Sequence, residues 1–253
     1  MTDQAKTLAV LGASSGLAHA YLRLMTEQGR FDQYVLLGRS ADKLGLVRDD
    51  IEARSGKPVR VIQSELAEPA QIVSTMSKIL ETVDHIDECV ICYGTLGEQG
   101  LLQNDQAALQ QMLNTNFVSI IMWMEAVAKF FETQNFGQLI VVGSVAGDRG
   151  RQSNYLYGAT KGALERACEG MAHRFAKAKH ITITLVKPGF MITPMTDGMK
   201  RTGPLWSSAE KVAKIMRKAA DKKRVRVYAP WYWRYILMIV RALPIPIFHK
   251  TKM

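Results

Sequence analysis

The sequence is short of several things, and each shortage excludes a class of protein. Three cysteines in 253 residues cannot build the disulfide framework of a small secreted domain, and they suit a reducing compartment. Two of them, Cys89 and Cys92, spell C-V-I-C. The surrounding "ECVICYG" reads as a buried strand, in which residues three apart point to opposite faces, so no redox pair is expected. The five histidines, at 19, 85, 173, 180 and 249, show no H-x-x-x-H spacing and no Cys/His cluster, so no metal site is expected. No segment repeats at a fixed period and none is of low complexity. The opening "MTDQAKTLAVLGASSG" carries too brief an apolar run for a secretory leader, and a cytoplasmic location is expected.

Acid is scarce at one end. Residues 211–253 hold 12 of the 33 Lys and Arg but only Asp221 of the 23 Asp and Glu, a local balance of +11. The first 210 residues then carry 21 basic and 22 acidic groups, a balance of −1, so the net +10 belongs to the C-terminal segment alone. A basic body would indicate nucleic acid; a neutral body with a basic end indicates a surface contact instead.

What is present is ordinary globular material, 47% apolar and 22% charged, in a length that open α/β sheets reach as one unit. Short aliphatic runs, "TLAVLG", "YVLLG", "VRVIQ", "ECVICYG", "QLIVVGS", "ITITLVKPG" and "VRVYAP", read as strands. They alternate with amphipathic segments over about 16–29, 41–55, 69–82, 105–134, 155–179 and 207–222. Near-continuous apolar strands alternating with helices predict a doubly wound parallel α/β sheet, Rossmann-like, covered on both faces. The expected division is one domain over residues 1–229 and an apolar, basic C-terminal extension over 230–253. Ligands of such sheets bind beyond the carboxyl ends of the strands, so the turns there should carry the chemistry.

The first of these turns, "LGASSGLAHA", puts Gly12 and Gly16 between a strand and a helix. Gly12 permits the tight turn, Gly16 lets backbone approach a phosphate at the helix N-terminus, and Ser14 and Ser15 add hydroxyls. The second strand ends in "LLGRS", where Arg39 stands at the place of the acid that holds a 2′-hydroxyl in NAD sites; an arginine there suits a 2′-phosphate and so NADP(H) over NAD(H). In "GSVAGDRGRQSNYLYGATKGA", Tyr157 and Lys161 are four apart at a helix start and share a face, and Ser144 ends the preceding strand. A cation beside a phenol is expected to pull its pKa below about 10. Asn116 sits mid-helix among apolar residues, an unfavourable place for an amide without a partner.

G-x-x-x-G after the first strand, Asn116, Ser144, the Y-x-x-x-K of Tyr157 and Lys161, and "KPG" at 187–189 together resemble the short-chain dehydrogenase/reductases. The resemblance covers residues 7–229. It implies a catalytic tetrad of Asn116, Ser144, Tyr157 and Lys161, with Tyr157 as acid–base, Lys161 on the nicotinamide ribose, Ser144 on the substrate carbonyl and Asn116 holding a relay water. It also implies cofactor contacts from Gly12, Ser14, Ser15, Gly16, Leu17, Arg39, Glu65, Leu66, Gly94, Pro188, Gly189, Met191 and Thr193, besides Tyr157 and Lys161. Two positions depart from the family pattern. Cys92-Tyr93-Gly94 replaces N-A-G, so the hydrogen bond of that asparagine must be met otherwise, and Glu65-Leu66 stands where an aspartate usually contacts adenine. Tyr155, with Ala159 four residues on, lacks a lysine partner and is expected to pack or to face substrate.

"YGTLGEQ", "AGDRGRQSNYLYGATKGAL" and "WRYILMIVRALPIPIFHK" further resemble one branch of the family, the reductase components of decaprenylphosphoryl-ribose 2′-epimerases. That branch reduces a 2-keto sugar on a polyprenyl phosphate after a separate flavin oxidase has made the ketone. It implies a lipid-linked carbonyl substrate and a flavin oxidase partner, and Arg149 and Arg151 become candidates for the substrate phosphate. The C-terminal apolar stretch, residues 231–243 continued to Phe248, is shorter than the roughly 20 residues of a spanning helix and is interrupted by Arg234 and Arg241. Its aromatics and flanking cations suit either an in-plane membrane contact through 230–248 or a homo-oligomer interface, and not nucleic acid.

Overall fold

A computed structural model describes residues 4–198 and 203–251. The elements follow in chain order: β1 (Thr7–Leu11), α1 (Gly16–Glu27), β2 (Gln33–Gly38), α2 (Ala41–Ser55), β3 (Val59–Gln63), α3 (Ile72–Thr82) and β4 (Glu88–Ile91). Then come α4 (Gln99–Asn104), α5 (Gln106–Leu113), α6 (Ser119–Gln134), β5 (Gly137–Val142), α7 (Tyr155–Arg174) and β6 (Ile181–Pro188). The chain continues through β7 (Phe190–Ile192), β8 (Trp206–Ser208), α8 (Ala209–Asp221), β9 (Arg226–Ala229), α9 (Tyr232–Ala242) and α10 (Ile245–Phe248).

Seven strands form one sheet in the order β3-β2-β1-β4-β5-β6-β9, every pair parallel. The strand period of two separates the core into two halves. Ala9, Leu11, Val35, Leu37, Cys89, Ile91, Leu139 and Val141 point toward α3, α6 and α7. Leu8, Val10, Tyr34, Leu36, Val90 and Ile140 point toward α1, α2 and α8. Cys89 and Cys92 fall in opposite halves, as their spacing requires, and burial raises both thiols, Cys92 to about 11. The strand order reverses between β1 and β4, which opens a crevice at their carboxyl ends.

Three departures from the sequence reading have local causes. The segment expected as one helix over 105–134 is interrupted at Asn114–Val118 by a π-helical turn, the kind of insertion that accumulates at functional positions. The stretch after β4 yields α4, a short helix that its polar, weakly periodic sequence does not announce. Residues 190–208, without a strand assignment in the sequence, contain a small second sheet of β7 and β8, in which Phe190 and Trp206 are register partners and their rings stack at 5.3 Å.

Beyond β9, α9 does not extend away from the body. Trp233 and Leu237 are buried against Val145, with Tyr228, Ile236 and Val240 around them. Gly189 permits this contact: a Cβ there would stand 1.8 Å from Nε1 of Trp233. Phe190 meets the same indole edge-on at 5.3 Å.

Candidate active site

A cavity of about 470 Å³ opens over the carboxyl ends of β1, β2, β4, β5 and β6, lined at those ends by Gly12, Gly38, Cys92, Val142 and Pro188. Every residue expected in the tetrad or at the cofactor lines it, from Gly12 to Thr193, with the exception of Asn116.

One wall is the turn from β1 into α1. Gly12 has φ +83°, and a Cβ there would lie 2.7 Å from the carbonyl oxygen of Cys92 and the Cβ of Tyr93, so only glycine fits. Ser15 caps α1, its Oγ accepting from the N–H of Ala18 at 3.2 Å. The free N–H groups of that first turn and the positive end of the helix favour an anion. Cys92 Sγ lies 3.2 Å from Ser15 Oγ, and Tyr93 bonds to Ser119 Oγ at 2.9 Å and to the Leu66 carbonyl at 3.3 Å. These contacts hold the loop after β4 without the asparagine that the family pattern has there. At the mouth, Arg39 is 73% exposed and 3.9 Å from the Glu65 carboxylate. Loop and helix N-terminus together fit the pyrophosphate of a dinucleotide.

The other wall is built by a tight approach of α7 to the turn Val145–Asp148. A Cβ on Gly158 would stand 2.8 Å from the Ala146 carbonyl, and one on Gly147 would stand 2.7 Å from the Gly162 nitrogen. The small residues in "AGD" and "YGATKGA" therefore bring Ser144, Tyr157 and Lys161 together. Lys187, 1% exposed, locks the arrangement from beneath by pairing with Asp148 of the turn and, at 2.5 Å, with Glu165 of α7.

Ser144 Oγ accepts from the N–H of Ala146 at 3.1 Å, which leaves its own hydrogen available to donate. Lys161 is 4% exposed, with Nζ 5.8 Å from the centre of the Tyr157 ring. The expectation that this ammonium lowers the tyrosine is not met. Burial raises the Tyr157 pKa against an opposing contribution from Ser144, and burial lowers Lys161 to about 8. In this crevice the loss of water is the largest influence on both groups.

Asn116 is fully buried behind the wall, in the π-helical turn. Its Oδ1 accepts from the N–H of Thr95 at 2.8 Å and its Nδ2 donates to the Thr95 carbonyl at 2.7 Å. The side chain fastens the loop after Gly94 and does not line the crevice. Tyr155 is likewise outside the lining; it is 41% exposed and its hydroxyl accepts from Gln103 at 3.2 Å.

The two arginines of the β5–α7 loop diverge. Arg149 points away from the crevice. Its Nη1 donates to the carbonyls of Val240, of Arg241 at 3.2 Å and of Leu243 at 2.8 Å, and its guanidinium lies 3.8 Å from the Phe248 ring centre. Four partners at the end of α9 occupy it, so the expectation that it binds a substrate phosphate is corrected. Arg151 lines the cavity, as do Asn154 and Phe190, which the sequence reading did not single out.

Sheet order, switch point and glycine turn define a doubly wound nucleotide-binding α/β domain. A sequence model of the family described as short chain dehydrogenase matches residues 6–203. The chain belongs to that family of oxidoreductases. It is 29% identical over 213 residues to an uncharacterized oxidoreductase of Mycobacterium tuberculosis, covering 83% of this chain and 84% of the relative. It is 26% identical over 191 residues to a 3-oxoacyl-(acyl-carrier-protein) reductase of Bos taurus, covering 76% and 78% respectively. In fold it is similar to a short-chain dehydrogenase from Sphingobium yanoikuyae solved in complex with NADPH, with TM-score 0.81, 20% identity and coverage of 95% and 97%.

Proposed function

We propose that the protein is an NADPH-dependent ketoreductase, acting on a 2-keto sugar carried by a polyprenyl phosphate at the cytoplasmic face of a membrane. The observation that carries the reductase reading is the meeting of Ser144, Tyr157 and Lys161 on one wall of a crevice whose other wall is the Gly12–Leu17 turn. NADPH supplies the hydride when bound. Tyr157, held protonated by burial, gives its phenolic proton to the carbonyl oxygen. Ser144 donates its free hydrogen to the same oxygen and fixes its direction. Lys161, an ammonium below about pH 8, holds the nicotinamide ribose and favours negative charge developing on Tyr157. Asn116 acts from behind, through Thr95 and the backbone at Gly94. Glycine turn and serines take the pyrophosphate, Glu65 and Leu66 the adenine, and Pro188, Gly189, Met191 and Thr193 the nicotinamide side. Arg39 favours NADPH by pairing with a 2′-phosphate in place of Glu65.

The lipid-linked substrate is supported by the resemblance to reductase components of decaprenylphosphoryl-ribose 2′-epimerases and by the outer surface of α9 and α10. No helix among the described residues is long and apolar enough to cross a membrane. Trp231, Tyr235, Met238 and Ile239, spaced along one side of α9, are exposed and opposite the buried Trp233 and Leu237, and Ile245 and Ile247 continue the surface. Arg234 and Arg241 flank this stripe. Such a helix suits an in-plane position, with each nearby cation worth about 1 kcal/mol against anionic lipid. A flavin oxidase that makes the ketone is the partner this reading requires.

The test combines flotation on vesicles of phosphatidylglycerol and phosphatidylcholine with NADPH consumption on a polyprenylphosphoryl 2-keto pentose, a sterol ketone and a 3-oxoacyl ester. Flotation and preference for the sugar lipid are expected. Preference for the sterol or acyl ketone would replace the substrate. Failure to float with a homo-oligomer in solution would assign the α9 surface to a subunit contact, and cofactor binding without turnover on any ketone would remove the enzyme reading.

A further inference from the structure

The cavity contains a cation that the reductase roles leave unused. Arg39 belongs to the mouth and Lys161 to the hydride end, which leaves Arg151 as the remaining Lys or Arg of the lining. Its Nε is buried and has no hydrogen-bond partner among the described residues; Asp148, the acid that influences it, meets Lys187 and Tyr228 through Oδ1, and its Oδ2 makes no hydrogen bond to Arg151. Three residues on, Asn154 also lines the cavity and its Oδ1 is buried without a partner. The two are fixed relative to each other: the N–H of Asn154 donates to the Arg151 carbonyl at 3.0 Å, and the Asn154 carbonyl accepts from the N–H of Gly158, one residue beyond Tyr157, at 2.8 Å. The Nε–H of Arg151 and the amide oxygen of Asn154, both buried without partners on half-buried side chains, each lose the hydrogen bonds they had in water, and a ligand with complementary groups restores them.

We propose that Arg151 and Asn154 form a substrate subsite for a ketone that carries an oxyanion group, with Arg151 holding the anion and Asn154 accepting from a neighbouring hydroxyl. That the ligand is a ketone rests on the proposed ketoreductase function; that it carries an anion and a hydroxyl follows from the unpartnered atoms. A guanidinium presents parallel N–H groups that match the paired oxygens of a phosphate ester or a carboxylate. The amide oxygen has no donor among the protein groups around it and so selects a hydroxylated neighbour. Because the turn 151–154 leads into α7, the anion is held near the carbonyl that Tyr157 and Ser144 address. Arg149, two residues earlier, cannot substitute, since the end of α9 occupies it.

The test loads the protein with NADP+, which fills the pyrophosphate position, and titrates phenyl phosphate, benzoate and benzyl alcohol by calorimetry. An anion is expected to bind and benzyl alcohol is not. Phenyl phosphate binding alone assigns the subsite to phosphate esters, benzoate alone to carboxylates. Arg151→Gln should weaken the anion at least tenfold and Arg151→Lys less, while NADP+ affinity stays within twofold. In turnover, dihydroxyacetone phosphate should exceed dihydroxyacetone in kcat/KM by at least tenfold, and Arg151→Gln should remove that advantage through KM. The subsite is overturned if no anion binds the native protein, if Arg151→Gln binds it as tightly, or if the variant loses NADP+ affinity by the same factor. Anion binding through Arg151 with no ketone reduced, the polyprenylphosphoryl 2-keto pentose included, would keep the subsite and sink the reductase reading instead.

Discussion

On the inner side of α9, Trp233 and Leu237 are each 4% exposed; on its outer side Trp231 is 70% exposed and Ile239 62%. One helix thus carries two apolar faces, and only the inner one is covered. In the crevice a few residues away, what stands without partners is polar as well, Arg151 Nε and Asn154 Oδ1. An uncovered apolar face calls for lipid or protein, and a guanidinium N–H buried without a partner calls for an acceptor. A substrate with an anionic head and an apolar tail would meet both demands, and Phe190, which lines the cavity and touches Trp233, lies between them.

The largest effect that tests this contrast falls in the crevice. Tyr157→Phe should lower kcat by about 10²–10⁴-fold, the range of a positioned acid, while NADPH affinity stays within a few-fold and vesicle flotation is unchanged. Activity close to native would detach chemistry from this wall altogether.

The next effect is in pH. Lys161 has its pKa lowered to about 8, so its ammonium is present below that value and lost above it, whereas Tyr157, raised by burial, remains protonated across the same range. The kcat/KM for ketone reduction should be level below about pH 8 and fall by about tenfold per unit above it. A profile that instead rises with pH would mean that the phenolate, not the phenol, is the required form.

The smallest effect probes the joint between the regions. Arg149→Ala frees carbonyls at the end of α9 and the Phe248 ring, and a hydrogen-bonded charge of this kind contributes about 2 kcal/mol. At about 2–4 °C per kcal/mol for a chain of this size, Tm should drop by about 4–8 °C, with flotation altered more than kcat. Equal losses in both would mean that the end of α9 supports the crevice directly. An unchanged Tm would mean that the inner face alone holds the helix.

Much of this was legible in the sequence. All seven strands of the main sheet are visible as aliphatic runs: those buried on both faces have no polar alternation to obscure them, and the edge strands β3 and β9 keep enough β-branched and aromatic residues beside their exposed arginines. The Gly12–Leu17 turn and the Tyr157–Lys161 pair are legible because they depend on local spacing, a tight turn in one case and one helical turn in the other. The break at Asn114–Val118 was not legible, since the helical pattern continues through it and the shift arises from Asn116 reaching across to Thr95. The sheet of β7 and β8 was not legible either, because strands of three residues gain their stability from the stacking of Phe190 on Trp206 and not from their own pattern.

The sequence by itself determined the layer order, the glycine turn and the residue types of the Ser144–Tyr157–Lys161 wall, since periodicity and short spacings act within a few residues along the chain. The tertiary structure alone decided what depends on distant partners. It turned Arg149 to the end of α9 and left Arg151 to the cavity, it placed Asn116 behind the wall, and it raised the tyrosine that its lysine neighbour was expected to lower. Two arginines two residues apart are equivalent as sequence; they differ because hydrogen bonds and desolvation are set by whatever the fold brings within a few ångströms.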